Sequence, residues 1–388
     1  MKKVLIYMRE GCLSKTGGPI GYNYALKSKL DELGITNIHY LPGGVVYKPG
    51  IGKKIKNKWY GTLLKSVKDF CKVTKLMYGP SKRPPIILDD YDIIHFHSCK
   101  HMYEIRNSLS KYKGKVVLTS HSPRVSYQEL IGMLTSWEQK HMHWYYKKMI
   151  RFDEFAFDRA DYIIFPCPEA EEPYYNTWPY FKVIKEKKAQ NFRYLLTGTY
   201  QCKAKIEKSE ILKRYNIPEN SFVISYVGRH NEVKGFDNLK SLGEKILPQF
   251  DNVYFLIAGE ESPIKGLVHP RWIEIGWTND PHSIIAASDL FILPNKETYF
   301  DLIMIEVLSL GRIVLASNTG GNKYFKKYRH RGVMCYDNLD EAVSLIKKIM
   351  TLSKDEISNI EKCNKELFEE ELNLDTFAKG YIKLIDNL

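Results

Sequence analysis

The sequence predicts an α/β protein built from two Rossmann-like parallel-sheet units in series. Three observations lead there. Short apolar runs recur along the chain, each followed by a turn and a stretch with helical spacing. The rhythm breaks in a polar, Lys-rich stretch over 182–220 and restarts at Phe222. The length of 388 residues fits two domains at about 150 residues each. Continuous apolar strands alternating with helices are the mark of parallel strands covered on both faces, because right-handed crossovers place a helix over each side of the sheet.

Taken in order, the first strand is Val4–Met8, leading through a Gly-rich turn to a helix expected over Tyr22–Leu33. Ile93–His97, Val116–Ser120 and Tyr162–Phe165 continue the first unit. Phe222–Val227, Val253–Ala258, Ile273–Ile275, Leu290–Leu293 and Ile313–Ala316 make the second. The tail from Asp355 reads as one or two amphipathic helices. The expected division is 1–200 for the first Rossmann-like domain, 201–370 for the second, and 371–388 for a helix that packs back on the first.

Composition narrows the class. With 44% hydrophobic, 27% charged and 13% aromatic residues the chain is globular, which excludes disordered, collagen-like and coiled-coil proteins. No apolar run approaches the roughly 20 residues of a membrane span. The N-terminus turns polar at Arg9-Glu10, so no signal-peptide core is read there. Seven cysteines without a CxxC pair point to reduced thiols in a cytosol.

The net charge of +13 is lopsided. Residues 1–200 carry 33 basic and 18 acidic side chains, whereas 201–388 carry 25 and 27. Lys48 to Arg83 holds eleven Lys and Arg against Asp69 alone, interleaved with Trp59, Tyr60, Leu63, Leu64 and Phe70. Such a block suits an anionic membrane surface. No nucleic-acid motif accompanies it, so nucleic acid is set aside as a partner.

Four segments could carry chemistry. Lys15-Thr16-Gly17-Gly18-Pro19-Ile20-Gly21 joins the first strand to the first helix, where Gly17 and Gly18 would let backbone N–H groups approach a phosphate; it is not a dinucleotide fingerprint. Val227-Gly228-Arg229-His230-Asn231-Glu232-Val233-Lys234-Gly235 ends the first strand of the second unit. Arg229 by its planar fork and Lys234 as a point charge can clamp a diphosphate. Glu297-Thr298-Tyr299-Phe300-Asp301-Leu302 follows the strand Leu290–Leu293 and opens a helix containing Glu306. Carboxylates there suit the hydroxyls of a sugar or ribose, with helix capping by Asp301 as the plain alternative. His95-Phe96-His97 and Ser120-His121-Ser122 end two strands of the first unit. No metal-ligand spacing accompanies them, and His121 is the one placed at a strand terminus where ligands bind.

These segments, in this order and spacing, resemble the retaining glycosyltransferases of family 4, of the bacterial surface-polysaccharide or glycolipid type, which have the two-domain GT-B fold. Asp92-Ile-Ile-His-Phe-His, Ala160-Asp161-Tyr-Ile-Ile, Phe255-Leu-Ile-Ala-Gly259, Ala287-Ser288-Asp289-Leu-Phe-Ile-Leu-Pro294 and Asn318-Thr-Gly320-Gly321 complete the match. The resemblance implies two facing domains with a nucleotide-diphosphate sugar, a UDP-sugar first, held mainly by the second. It gives Arg229 and Lys234 the diphosphate, Gly18 a closing contact on it, Glu306 the ribose hydroxyls, and His121 the transferred sugar. It implies no metal and no cofactor beyond the donor, a glycan or lipid-linked acceptor, and a cytoplasmic enzyme peripheral to the inner face of the membrane.

One departure bears on the sugar. The family spaces two glutamates with seven residues between them, whereas Glu297 and Glu306 have eight. Either a one-residue bulge restores Glu297, or Thr298 takes its place and Asp301 changes the contacts. Two other classes share the fold: a catalytically silent partner protein and a nucleotide-sugar epimerase. The presence of Arg229, Lys234, Glu306 and His121 favours the transferase.

Overall fold

The computed structural model describes residues 2–15, 18–43, 59–131 and 134–388. It divides into two compact units: Met1–Phe165 with Tyr174–Tyr194 and Ile382–Leu388, and Pro166–Pro173 with Leu195–Tyr381. The division falls at Tyr194/Leu195, a few residues before the expected 200. Only residues 382–388 rejoin the first unit, where Lys2 Nζ donates to the Asp386 carbonyl at 2.8 Å.

The first unit carries a six-stranded parallel sheet of β1 (Val4–Arg9), β2 (Ile38–Leu41), β3 (Ile93–Phe96), β4 (Lys115–Thr119), β5 (Tyr162–Phe165) and β6 (Phe192–Tyr194), in the order β2-β1-β3-β4-β5-β6. Helix α1 (Gly18–Glu32) follows β1, beginning at Gly18 rather than at Tyr22. Helix α2 (Trp59–Tyr78) and helix α3 (Ile150–Arg159) lie before β3 and β5.

The second sheet comprises β7 (Phe222–Val227), β8 (Val253–Ala258), β9 (Trp272–Gly276), β10 (Leu290–Leu293), β11 (Ile313–Ser317) and β12 (Val333–Tyr336), all parallel, in the order β12-β11-β10-β7-β8-β9. Its helices include α4 (Phe236–Ile246), α5 (Pro281–Ala286), α6 (Leu302–Ser309) and α7 (Leu339–Met350), followed by α8 (Lys354–Leu367) and α9 (Leu374–Asp386).

Alternation explains why these strands are apolar throughout. Ile224, Tyr226, Phe255 and Ile257 point to one face, against Phe236, Leu239, Leu242 and Ile246 of α4 and Leu345, Ile346 and Ile349 of α7. Val223 and Leu256 point to the other, against Ile284 of α5 and Ile211 and Leu212 of the helix Lys208–Arg214, which precedes β7. Each such side chain contributes about 1.5–3 kcal/mol by leaving water, so the doubly covered sheet is the stable core on which the loops are mounted.

The strand order places those loops. In the second sheet the chain direction of assembly reverses between β7 and β10, which pair as Leu290 with Ile224 and Phe291 with Ser225. Ligands of open α/β sheets bind beyond the carboxyl ends of strands at such a reversal. The loops that emerge there are Gly228–Gly235 and Pro294–Asp301.

Candidate active site

The loop after β7 is fixed from within and from beside. Tyr226 Oη donates to the Arg229 carbonyl at 2.8 Å, and the Lys234 N–H donates to Asn231 Oδ1 at 2.9 Å. Gly235 then adopts φ +64° as the N-cap of α4, and a Cβ there would stand 1.7 Å from the Pro294 carbonyl oxygen. Only glycine meets both conditions, and its absence of a side chain lets the two loops touch backbone to backbone. Gly320, at φ +46°, does the same against the Thr298 carbonyl oxygen, 1.9 Å from where its Cβ would be.

On this frame Lys234 and Asp301 are brought together. The Arg229 side chain is exposed and makes no hydrogen bond or ion pair among the described residues. Lys234 Nζ donates to Asp301 Oδ1 at 2.5 Å, and Asn295 Nδ2 donates to Asp301 Oδ2 at 2.8 Å. Asp301 is the N-cap of α6, yet its carboxylate makes no capping hydrogen bond. The helix-capping alternative therefore fails at the level of the side chain: the carboxylate serves the neighbouring loop instead. Leu302 opens the helix.

Glu297 and Thr298 separate clearly. Glu297 is half-buried, whereas Thr298 is 2% exposed and its carbonyl meets Gly320. The backbone N–H groups of Lys296 and Glu297 donate to the Val233 carbonyl at 3.1 and 3.4 Å, which ties this turn to the Arg229–Lys234 loop.

Glu306, in the second turn of α6, has a partner that the sequence did not disclose. His282 Nε2 lies 3.2 Å from Glu306 Oε2. Asp280 caps α5 by accepting from the Ser283 N–H at 3.3 Å, which sets His282 in the helix's first turn. The Cys202 thiol and the Glu306 carboxylate beside it push His282 up to about 10, so it is an imidazolium at neutral pH.

A second unpredicted group lies under the same loops. The His230 ring is fully buried, stacked on Phe236 at 3.8 Å, with neither nitrogen hydrogen-bonded. Burial lowers it from the ordinary value, so it is neutral. Glu274 Oε2 stands 3.9 Å away, and burial pushes that carboxyl up to about 7 while Trp272 Nε1 donates to its other oxygen at 2.7 Å.

In the first unit, Gly18 is the first residue of α1, with φ +72°, and Gly17 lies outside the described residues. His121 lies two residues beyond the end of β4 and shares a 2.7 Å hydrogen bond between its Nε2 and His97 Nδ1. His95 Nε2 is 2.7 Å from Thr119 Oγ1. The three rings pack one on the next, with centroids 4.2 Å apart for His95 and His97 and 5.0 Å for His97 and His121, rather than converging on a point as metal ligands do. Burial pushes His95 and His121 down to about 3. Neutral His121 lines a cavity of about 250 Å³ with His97, Ser120, Arg124, Glu129 and Asp153. Asp153 is buried, accepts from the Ser126 N–H and hydroxyl at 3.0 and 3.1 Å, and is raised to about 7 by that burial.

The basic segment is partly visible. Residues 44–58, with Lys48, Lys53, Lys54, Lys56 and Lys58, lie outside the described residues. In α2, Leu64 and Val67 are 63% and 53% exposed beside exposed Lys65 and Lys68. No helix among the described residues is long and apolar enough to cross a membrane. All seven cysteines are free thiols.

Residues 207–367, within the second unit, match the family model described as glycosyl transferases group 1. A stretch of 202 residues is 26% identical to the UDP-Gal:alpha-D-GlcNAc-diphosphoundecaprenol alpha-1,3-galactosyltransferase of Escherichia coli, covering 47% of this chain and 51% of that enzyme. The chain thus spans about half the length of that curated relative. Among solved structures, the sucrose-phosphate synthase of Thermosynechococcus elongatus superposes with a TM-score of 0.65 at 16% identity, over 100% of this chain and 99% of that one. Anabaena HepE, solved in complex with UDP and glucose, gives 0.61 at 13% identity over the full length of both. The fold is that of these solved structures, and residues 207–367 are similar to the glycosyl transferases group 1 family.

Proposed function

We propose that this protein is a retaining glycosyltransferase that moves a sugar from a UDP-sugar to a glycan or lipid-linked acceptor in cell-surface polysaccharide or glycolipid synthesis. The observation that carries the reading is that the Lys234–Asp301 ion pair and the backbone ties to Val233 hold the loop bearing Arg229 and Lys234 against the loop bearing Glu297, ahead of the helix bearing Glu306, at the sheet's switch point and inside the region that matches the glycosyl transferases group 1 model. The choice of UDP is supported by the UDP-containing HepE structure and by the UDP-Gal-dependent relative, whose printed name also carries the diphosphoundecaprenol acceptor.

The chemistry follows from charge. As the anomeric C–O bond breaks, negative charge grows on the departing diphosphate. The unpaired Arg229 guanidinium offers it a planar fork, and Lys234 offers a second cation once it turns from Asp301. Preorganised cations of this kind do their work in a partly water-excluded loop without a metal or further cofactor. Glu306, held by His282, is set to accept from ribose hydroxyls, and Glu297, the more exposed of the two candidates, from the sugar. In the first unit the cavity beside His121 takes the acceptor. Neutral His121 and Asp153 can each donate to or accept from its hydroxyls. The lysine-rich segment with α2 holds the enzyme on an anionic membrane surface, where a lipid-linked acceptor resides.

The test is transfer itself. Purified protein is incubated with a panel of UDP-sugars and a diphosphate-linked lipid acceptor, reading UDP release and the anomeric configuration of the product by proton NMR. Release with one donor and a product of the donor's own configuration supports the proposal. Failure to bind any nucleotide diphosphate overturns it.

A further inference from the structure

Cys202, His282 and Glu306 each offer one ligating atom, and those atoms all lie within 4.8 Å of one another. They come from three segments: the stretch after β6, the first turn of α5 and the second turn of α6. The His282 Nε2 to Glu306 Oε2 separation of 3.2 Å is close to the ~3.3 Å edge between nitrogen and oxygen ligands of a tetrahedral zinc ion with bonds near 2.0–2.1 Å.

Hydrogen bonds lock the three backbones into one frame. The Cys202 N–H donates to Ser309 Oγ at 3.2 Å, and Ser309 Oγ donates to the Glu306 carbonyl at 2.7 Å. The N–H groups of Lys205 and Ile206 donate to Ser283 Oγ at 2.9 and 3.0 Å, and Ser283 Oγ donates to Asp280 Oδ2 at 2.6 Å. The segment bearing the thiol is thereby tied to the helix that bears His282 and to the helix that bears Glu306. Ligands held by such outer contacts are already oriented before an ion arrives.

We propose that Cys202, His282 and Glu306 form a binding site for a borderline-soft divalent cation, Zn²⁺ first, which displaces the His282 Nε2 proton and the Cys202 thiol proton to solvent as it binds, with water in the fourth position. The donor set decides the ion: a thiolate and an imidazole suit Zn²⁺ and Co²⁺ and are poor ligands for Mg²⁺ and Ca²⁺. Three protein ligands and an open position make an exchangeable site rather than a closed structural one. The consequence for activity rests on the functional reading above, which assigns Glu306 to the ribose hydroxyls. One carboxylate cannot serve both, so the ion and the nucleotide exclude each other, and by linkage each weakens the other by the same factor. The ion is then an inhibitor of transfer, not a reactant in it.

The experiment is a Co²⁺ titration of the metal-free, full-length protein, with Zn²⁺ displacing Co²⁺. Wild type should show one thiolate-to-cobalt charge-transfer band in the near ultraviolet, saturating at one ion per chain. Cys202→Ser should lose that band, and His282→Gln should weaken Co²⁺ binding by at least about 100-fold, beyond the 10–100-fold cost of removing an outer-shell partner. Circular dichroism melts and UDP binding by Cys202→Ser, a residue outside the donor machinery, confirm that the variant is folded. Absence of the band in wild type, or its persistence in Cys202→Ser, overturns the site. Saturating UDP should raise the apparent Co²⁺ dissociation constant. UDP that binds while leaving Co²⁺ affinity unchanged overturns the exclusion and the ribose role of Glu306. If UDP does not bind at all, the functional reading fails and the cobalt band alone decides the metal site.

Discussion

The Lys234 ammonium donates to the Asp301 carboxylate across 2.5 Å, joining the loop after β7 to the N-cap of α6. This pair sets the electrostatics of the candidate site: a cation meant for the diphosphate is held by a carboxylate that would repel it. Asp301→Asn removes the competitor and keeps an oxygen that can accept from Lys234. We expect the Asn variant to bind UDP a few-fold more tightly, since a half-buried pair of this kind contributes about 1 kcal/mol. Calorimetric titration checks it. Weaker UDP binding in the Asn variant would mean that Asp301 positions Lys234 rather than competing for it.

The two candidates for the sugar contact should fail in different ways. Glu297→Ala should lower turnover by about 10²-fold with little change in melting temperature, because the side chain is half-buried and not part of the core. Thr298→Ala should instead lower the melting temperature, because it deletes a buried methyl and hydroxyl, and should leave turnover near normal. Steady-state kinetics and thermal melts on both variants separate the two. A silent Glu297→Ala with an inactive, stable Thr298→Ala would reverse the assignment.

Gly235 is where one loop rests on the other. Gly235→Ala places a Cβ 1.7 Å from the Pro294 carbonyl at φ +64°. The loops must then move apart, at a cost of about 1–3 kcal/mol for the strained backbone and more for the contact. Both the melting temperature and UDP affinity should fall together. A drop in stability with UDP affinity intact would show that the contact does not shape the site.

The histidine stack makes the first unit sensitive to acid. His95 and His121 have folded-state values pushed down to about 3 from 6.5, so the folded protein binds fewer protons than the unfolded chain between those limits. Their stabilisation is full above about pH 6.5 and is lost as pH falls towards 3. Asp153, raised to about 7, works the other way: its contribution is present at low pH and is lost as pH rises towards 7. Melting curves from pH 7 to 4 should fall more gently for His95→Gln than for wild type and more steeply for Asp153→Asn. Parallel curves for all three proteins would refute the assigned protonation states.

The interior strands were readable from sequence because burial on both faces leaves them mostly apolar. Phe222–Val227, Val253–Ala258, Tyr162–Phe165 and Leu290–Leu293 were predicted with the bounds observed. The strands not foreseen, Ile38–Leu41, Phe192–Tyr194 and Val333–Tyr336, are edge strands. They are short and pair on one side only, so Arg193 and His39 are tolerated there and the apolar signal fades. The site divides likewise. Arg229 and Lys234 stand out as candidates because a strand end and flanking glycines mark their loop, and Glu306 because its helix follows a strand end. The Lys234–Asp301 and His282–Glu306 pairs were not, because their partners are 67 and 24 residues apart and meet only through the parallel sheet. Neither Cys202 nor His282 carries a local spacing that would have pointed to the other.

The central claim is that the loops at the switch point of the second sheet hold a nucleoside diphosphate through Arg229 and Lys234. Equilibrium titration of UDP and of uridine against wild type and Arg229→Ala tests it most directly. The account predicts that UDP binds wild type far more tightly than uridine does. It also predicts that Arg229→Ala raises the UDP dissociation constant at least about tenfold, or 1.4 kcal/mol, while leaving uridine binding unchanged. Equal affinity for UDP and uridine in wild type, or UDP binding indifferent to Arg229→Ala, would contradict it.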